Sequence, residues 1–405
     1  MKGSVKLNKF TNKDNYIFNN LYEDKKNNIL PLPIKIWPFE GKLLLFLLGF
    51  WCIFGLLILG SASWWVANKE MGNWAYFLNR QIAWYIPGLT ISFVVFQTNI
   101  KDLLKSSKPI FYILLILIGV TIFFGSTING STRWLIFGPI KMQPSEIIKP
   151  FCILEAANLF AHWNLVNNNK KIITLASFGL LILMIMKQPN LSTAGLIGIL
   201  FWVMALCGGV RFNSLLSVAA FGATSVYLSV MKNEYQMLRI KSFINPWNDP
   251  EGNGYQLIQS LLAIGSGGFF GKGFGLSIQK LQYLPIQHTD FIFAIYAEEF
   301  GLLGSIFLLG FLVIFCYLSL RISIKCRNNY TKLVAIGCAT LLIGQSIIHI
   351  AVTTGSMPTT GLPLPFVSYG GNSLIASLFI AALLLRCSLE STGLIGNLRA
   401  RKIMH

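Results

Sequence analysis

The sequence is poor in charged residues for its length. Only 12% of its 405 residues are Asp, Glu, Lys or Arg, whereas 54% are hydrophobic and the mean hydropathy is +0.60. A water-soluble domain carries about twice that share of charged residues. The shortage excludes a water-soluble fold for most of the chain and predicts an integral membrane protein.

Acidic residues are the scarcer of the two charged classes. The chain has 15 acidic and 33 basic residues, and its net charge is +18. Such an excess can indicate nucleic-acid binding, but here the basic residues form short clusters between long apolar runs. Membrane proteins distribute their charge in this way, and we therefore expect no nucleic-acid partner.

The cysteines and histidines lack the spacing of a metal site. The seven cysteines include no C-x-x-C pair, and all but Cys326 lie in or at the end of apolar runs. His162, His349 and His405 show no ligand spacing either. The sequence therefore predicts neither a disulfide nor a structural zinc.

Long apolar runs predict the membrane spans, because a helix needs about 20 apolar residues to cross a bilayer. The expected fold class is an all-α integral membrane protein with about ten transmembrane helices. The predicted spans are residues 43–63, 81–97, 108–126, 146–162, 171–187, 193–208, 213–231, 290–320, 332–353 and 372–389.

The distribution of Lys and Arg predicts the orientation of these spans. Residues 1–42 are polar, lack the apolar segment of a cleaved signal peptide and are expected to form a cytoplasmic tail. Residues 43–389 would form the membrane domain, and residues 390–405 a second cytoplasmic tail. This orientation places most basic residues inside, as the positive-inside rule requires. Residues 232–289, between spans seven and eight, then form a large outer loop, which we interpret as an ordered lid or re-entrant region.

Two outer motifs have a structural and a functional interpretation. Pro144 and the residues after it indicate a helix start, and Glu146 and Lys149 share a helical face. An ion pair is the favoured interpretation, and phosphate binding by Lys149 or Arg133 is the alternative. The glycine-rich segment 265–275 could cradle an anion, but its spacing does not match a P-loop, and a flexible turn is favoured.

Asp290 lies in the sequence His288-Thr289-Asp290, directly before an apolar helix. Taken alone, it is interpreted as a helix cap, with a general base at the membrane surface as the alternative. Glu298 follows eight residues later, which is about 12 Å along a helix, and it points in a different direction. A two-carboxylate glycosidase is therefore not expected. Glu298 and Glu299 are expected to be structural and to need partners.

Seven stretches together resemble one known family. The chain is similar to the SEDS proteins (shape, elongation, division and sporulation), and more to the division (FtsW) branch than to the elongation (RodA) branch. The matching stretches are Arg133-Trp134, QPSEIIKP at 143–150, QPNLST at 188–193, NPWNDPEGNGYQLIQS at 245–260, GSGGFFGKGFG at 265–275, SIQKLQYLPIQHTDFIFAIYAEEFG at 277–301 and GLPLPFVSYGGNS at 361–373. Asn190 and Ser192 depart from the family pattern, which commonly has Asp and Gly there.

The resemblance implies a peptidoglycan glycosyltransferase that polymerises lipid II at the outer face of the bacterial plasma membrane, at the division septum. It implies a class B penicillin-binding transpeptidase and other division proteins as partners, and it leaves room for a divalent cation such as Mg or Mn. A lipid II flippase, an elongation-type polymerase and a non-catalytic scaffold are the alternatives.

The resemblance also assigns residues, with Asp290 as the catalytic base instead of a cap. The residues expected to bind the pyrophosphate or sugars are Arg133, Lys149, Arg239, Lys272, Lys280 and Gln256. Those expected to be structural are Glu146, Glu298, Glu299, Pro363, Ser368, Tyr369, Gly370 and Gly371.

Overall fold

The computed structural model describes residues 37–128, 131–138 and 140–391. Most of the predicted N-terminal tail and nearly all of the C-terminal one, His405 included, lie outside these ranges. The described residues from Pro38 onward form one folded unit, in which helices predominate.

The described residues form thirteen α-helices. They are α1 (Phe39–Met71), α2 (Tyr76–Gln97), α3 (Ile100–Phe124), α4 (Pro144–Ile147), α5 (Lys149–Phe160), α6 (Asn168–Lys187), α7 (Leu191–Cys207), α8 (Phe212–Lys232), α9 (Glu234–Ile244), α10 (Tyr255–Gly267), α11 (Ile292–Lys325), α12 (Asn329–Thr353) and α13 (Gly371–Ser391). Short 3₁₀ turns occupy Trp163–Leu165 and Pro246–Asn248.

Among the described residues, seven helices are long and apolar enough to cross a membrane: α1, α3, α6, α8, α11, α12 and α13. The other predicted spans, 81–97, 146–162 and 193–208, coincide with α2, with α4 and α5, and with α7. Several helices are longer than their apolar runs. α1, for example, continues through the polar residues Asn68–Glu70 to Met71. Gly72 then ends the helix in a left-handed conformation with φ 66°.

A small β-sheet corrects the all-α prediction. Strands β1 (Ser126–Ile128), β2 (Ser131–Phe137) and β3 (Ile140–Met142) pair antiparallel in the order β1-β2-β3. Strand β2 contains threonine, tryptophan, isoleucine and phenylalanine, which favour strands. The sheet connects α3 to α4 and carries Arg133 on its central strand.

The glycine-rich segment is ordered, which corrects the prediction of a flexible turn. α11 breaks at Gly301 (φ 65°, ψ −159°), which leaves backbone groups on both sides of the break without helical partners. The segment supplies those partners: Lys272 N and Gly273 N donate to the carbonyls of Glu298 and Glu299 at 3.0 Å, while the Leu302 and Leu303 amides donate to carbonyls of Gly268 and Phe269. The glycine-rich segment therefore replaces the missing helical hydrogen bonds.

Two glycines allow this contact. A Cβ atom on Gly271 would lie 2.2 Å from the Glu299 carbonyl oxygen, and one on Gly301 would lie 2.3 Å from the Gly271 nitrogen. Both residues also have φ in the left-handed region, at 82° and 65°, where a side chain adds strain. The break in α11 and its packing against the glycine-rich segment therefore require glycine at both positions.

We expect Gly301→Ala to destabilise the protein by about 1–3 kcal/mol or more, because alanine adds strain at positive φ and collides with the Gly271 backbone. Gly310→Ala is the matched control, since Gly310 lies in the same helix with open space around it. Alanine should stabilise a helix there by up to about 1 kcal/mol. Thermal unfolding in detergent measures both, and equal melting temperatures for the two variants would contradict the proposed role of the break.

Candidate active site

Asp290 lies just before α11, but it is not the cap of that helix. The N-cap position is Phe291, and no side chain caps the helix N-terminus by a hydrogen bond. The cap interpretation is therefore wrong. Asp290 is partly buried, and a Cβ atom placed on Gly361 would lie 3.6 Å from its Oδ2 atom. The carboxylate therefore faces the backbone around Gly361.

The segment that carries Asp290 is held by the residues before α13. Ser368 Oγ donates to the Thr289 carbonyl at 2.6 Å, and the Tyr369 amide donates to the His288 carbonyl at 3.0 Å. Ser368 Oγ also accepts from the Leu364 amide at 2.8 Å. Since these bonds reach the two residues preceding Asp290, they restrict where its carboxylate can lie.

Helix α2 supports the same contact from the other side. Gln81 is fully buried, and its Nε2 donates to the Ser368 carbonyl while its Oε1 accepts from the Gly370 amide, both at 3.2 Å. One turn earlier, the Phe77 ring lies 4.3 Å from the His288 ring. Residues at i and i+4 share one helical face. The same face of α2 therefore contacts the segment before α13, through Gln81, and the segment before α11, through Phe77.

Arg133 and Arg239 lie close enough to Asp290 to interact with it electrostatically. Arg133, on β2, donates through Nε to the Gln188 carbonyl at 3.1 Å and through Nη2 to that of Pro189. Arg239, on α9, donates to the Thr359 carbonyl at 2.9 Å and to the Tyr235 hydroxyl. Within the described ranges, neither arginine belongs to an ion pair. Their hydrogen-bond partners are neutral, so the Asp290 carboxylate acts on them from a distance and not through a direct ion pair.

The surroundings shift the pKa values of these groups. Burial raises the pKa of Asp290 to about 6, although Arg239, Arg133 and a hydrogen bond with Thr289 each act to lower it. Burial lowers the pKa of Arg133 to about 10 and that of His288 to about 4. At pH 7 Asp290 is therefore mostly a carboxylate, Arg133 is charged and His288 is neutral.

The three candidate lysines all form ion pairs. The predicted pair between Glu146 and Lys149 is present at 2.7 Å, and Lys149 also donates to Gln345 at 3.0 Å. Lys272 pairs with Glu298 at 2.7 Å, and Lys280 with Glu299 at 2.7 Å. These contacts neutralise the lysine charges, unlike those of the two arginines.

Glu298 and Glu299 are buried, and both have the hydrogen-bond partners that buried carboxylates require. Glu298 accepts from Ser266, Ser277 and the backbone amides of Ile278 and Gln279. Glu299 accepts from Ser61 on α1 at 2.6 Å and 2.8 Å, and Lys280 Nζ lies 3.1 Å from the same hydroxyl. Both carboxylates therefore tie the 266–280 region to α11.

The remaining predicted residues lie in two places. Gln256 is partly exposed on the first turn of α10. The Pro363 carbonyl accepts from Gln345 at 2.7 Å, and a Cβ on Gly371 would lie 2.5 Å from the Trp84 ring. Asn190, where the family commonly has Asp, caps α7 by accepting from the Thr193 amide. It therefore has a structural contact of its own.

Gln81, Ser61 and Tyr235 were missed by sequence reasoning. Ser61 lies near the end of the first apolar run, and Gln81 follows Asn79 and Arg80 at the start of the second; polar residues at such positions need a polar partner. That signal identifies them as unusual but does not name the partner. Among the described residues, no group of three or more His, Cys, Asp or Glu side chains comes together as a metal site would require.

Comparisons with known proteins identify relatives of this chain. The model of one protein family, described as cell cycle protein and naming FtsW, RodA and SpoVE, matches residues 41–393. The protein named "Probable peptidoglycan glycosyltransferase FtsW" of Synechocystis sp. is 43% identical over 356 residues, which are 88% of this chain and 91% of the relative. Its namesake in Coxiella burnetii is 35% identical over 364 residues, 88% of this chain and 97% of the relative.

Solved structures resemble the fold as well. One, described as the structural coordination of polymerization and crosslinking by a peptidoglycan synthase complex, has a TM-score of 0.70 at 28% identity and covers 88% of this chain and 98% of its own. The crystal structure of the Thermus thermophilus rod shape determining protein RodA has a TM-score of 0.64 at 25% identity, covering 87% and 97%.

We expect Lys280→Met to destabilise the protein by about 3–5 kcal/mol, because Glu299 would remain buried without its cation. Lys280→Met combined with Glu299→Gln should recover much of that loss. Lys272→Met should cost less, since the Lys272 side chain is 28% exposed and that of Lys280 only 1%. Thermal unfolding measures all three variants. If Lys280→Met instead kept full stability and lost only substrate affinity, Lys280 would be a ligand of the pyrophosphate.

Proposed function

The chain belongs to the family of cell cycle proteins that includes FtsW, RodA and SpoVE, and from this premise we propose that it is a peptidoglycan glycosyltransferase of cell division. It joins the disaccharide units of lipid II into glycan strands with β-1,4 linkages and releases undecaprenyl diphosphate. An elongation role is the alternative, and the location of a tagged protein, at the septum or along the wall, distinguishes the two roles.

The observation behind this proposal is a carboxylate close to two arginines that form no direct ion pair among the described residues. A general base works best when its pKa lies near the operating pH, and the pKa of Asp290 is raised to about 6. Arg133 and Arg239 are held by carbonyl and hydroxyl groups instead of carboxylates. Their charges remain available for an anionic leaving group, which the three ion-paired lysines cannot offer without breaking a contact.

The reaction assigns one role to each of these groups. Asp290 takes the proton from the 4-hydroxyl of the acceptor sugar as that oxygen attacks the anomeric carbon of the donor. The bond between this carbon and the pyrophosphate oxygen breaks, and negative charge grows on the leaving group. Arg133 and Arg239 stabilise that charge from fixed positions, which is the most effective form of electrostatic catalysis.

The membrane arrangement follows from the same proposal. Ten spans would comprise the seven long apolar helices together with α2, the α4–α5 pair and α7. Both termini would then be cytoplasmic, and the 232–289 region, with α9, α10 and Asp290 just beyond it, would lie on the outer face of the bacterial plasma membrane. This orientation agrees with the basic clusters at the other end of the helices.

Partners are proposed from the relatives and from the chemistry. One structural neighbour is part of a complex that polymerises and crosslinks, so a class B penicillin-binding transpeptidase and other division proteins are the expected partners. A divalent cation such as Mg or Mn also stays a prediction. Magnesium commonly takes only one or two protein carboxylates, with the rest of its ligands from phosphates and water, so the pyrophosphate of the substrate would supply most of its ligands.

We expect Asp290→Asn to reduce polymerisation of labelled lipid II by at least about a hundredfold, because it removes the base and keeps the shape of the side chain. The protein should be purified with its transpeptidase and glycan products separated by length. Asp249→Asn is the matched control, since Asp249 is an exposed acid bonded to Asn253, and it should keep normal activity.

The same experiment distinguishes the alternatives. Equal polymerisation by the wild type and Asp290→Asn would place the base elsewhere. Movement of labelled lipid II across vesicles without any polymer would indicate a flippase. A wild type that does neither, together with an Asp290→Asn variant that still supports division, would indicate a scaffold.

A further inference from the structure

Another arginine, Arg80, lies near His288, at the same end of the helices as Asp290. Arg80, on the first turns of α2, is exposed, and its Nη1 donates to the Tyr76 hydroxyl at 2.8 Å. The Arg80 guanidinium lies 5.2 Å from the centre of the Tyr76 ring, and the phenol of Tyr369 lies close to the same guanidinium. In the part of the chain that the structure describes, Arg80 joins no ion pair.

The Tyr76–Arg80–Tyr369 cluster is connected directly to the Asp290 segment. The Phe77 ring lies 5.0 Å from that of Tyr369 and 4.3 Å from that of His288, and the Tyr369 amide donates to the His288 carbonyl at 3.0 Å. His288 precedes Asp290 by two residues, a span of at most about 7 Å. The cluster therefore lies within reach of a substrate whose reacting hydroxyl is at Asp290.

The cluster and the arginine pair lie at opposite ends of one segment. Arg239 bonds to Thr359, and the Asp290 carboxylate faces Gly361, near the start of the 359–370 segment. The cluster includes Tyr369, near its end. Arg133 and Arg239 interact with Asp290, whereas Arg80 interacts with Tyr369. A pyrophosphate held by Arg133 and Arg239 therefore leaves Arg80 for a different anionic group.

The chemistry of the cluster indicates a carboxylate on a sugar. A guanidinium presents two parallel N–H donors to a carboxylate, and flanking phenol rings offer apolar faces and hydroxyls to a saccharide. The peptide attached to each lipid II disaccharide ends in a carboxylate, whereas the sugar rings themselves are uncharged. The acceptor has two anionic parts, its own pyrophosphate and the carboxylates of its peptide, and the planar fork of a guanidinium between two phenol rings fits a carboxylate best.

We propose that Tyr76, Arg80 and Tyr369 form a subsite for a peptide carboxylate of the acceptor, whose 4-hydroxyl then lies at Asp290. The inference rests on the proposed function and adds how the acceptor is recognised. Arg80 holds the peptide, the tyrosines hold Arg80, and the subsite takes no part in proton transfer.

Binding of labelled lipid II to the protein in nanodiscs tests the subsite independently of polymerisation. We expect Arg80→Gln to weaken binding about tenfold or more, as loss of a charged hydrogen bond does. Arg80→Lys should recover part of the loss, because it keeps the charge without the planar fork. Lys69→Gln is the control, since it removes an exposed cation from the end of α1, where Lys69 bonds to Gln282, and it should change binding less than twofold.

Two further arms identify the occupant. Lipid II with its peptide carboxylates amidated should bind the wild type about tenfold more weakly, and Arg80→Gln should weaken that binding no further. If Arg80→Gln weakens both substrates equally, or neither, the inference is wrong. If the effect of Arg80→Gln follows the anionic phospholipid content of the nanodisc instead of the amidation, the cluster binds a headgroup phosphate, and the inference is again overturned.

The binding test of the subsite and the polymerisation test of the proposed function can fail independently. A wild type that binds lipid II but forms no polymer contradicts the glycosyltransferase proposal, and the binding comparison between Arg80→Gln and Lys69→Gln still decides the subsite. A wild type that does not bind lipid II at all contradicts both.

Discussion

The attachment of α11 to the glycine-rich segment depends on the break in this helix at Gly301. A break in a long apolar helix exposes backbone groups that have no water to bond with inside a membrane. Here the glycine-rich segment bonds to the residues on both sides of the break. The ion pairs of Glu298 with Lys272 and of Glu299 with Lys280 also hold this region against α11. The segment that carries Asp290, just before α11, is held in turn by Ser368 and Tyr369.

The basic residues of these motifs divide into two groups by their partners. Lys149, Lys272 and Lys280 lie against carboxylates, and their charges serve the structure. Arg133 and Arg239 are fixed by carbonyl oxygens, and Arg80 by a phenol. An arginine held by neutral acceptors is positioned and still attracts anions, since it has five N–H donors and remains charged at neutral pH. The arrangement therefore separates cations that stabilise the fold from cations that can bind a substrate.

Local patterns in the sequence predicted much of this and missed the long-range contacts. The Glu146–Lys149 pair followed from helical spacing, because residues three apart meet on a helix. The partners of Glu298 and Glu299 could not be named in advance, since Lys280 and Ser61 reach Glu299 from segments that are distant in the chain. The short β-sheet lies between two apolar runs and was not predicted. The prediction of a flexible turn at 265–275 was wrong, because glycine there permits close packing instead of mobility. Asp290 was assigned through a family resemblance, since its local sequence alone favoured a cap.

Burial raises the pKa of Asp290 toward the range of a general base, while Arg239 and Arg133 keep that pKa from rising further. Infrared spectroscopy of ¹³C-aspartate-labelled protein, as the difference between the wild type and Asp290→Asn, measures the titration of this carboxyl directly. Its pKa should be near 6, with the carboxylate form growing as the pH rises. In Arg239→Gln the midpoint should move to higher pH, because Arg239 lowers the pKa of Asp290. A midpoint at or below pH 4, or one that Arg239→Gln leaves in place, would contradict the account.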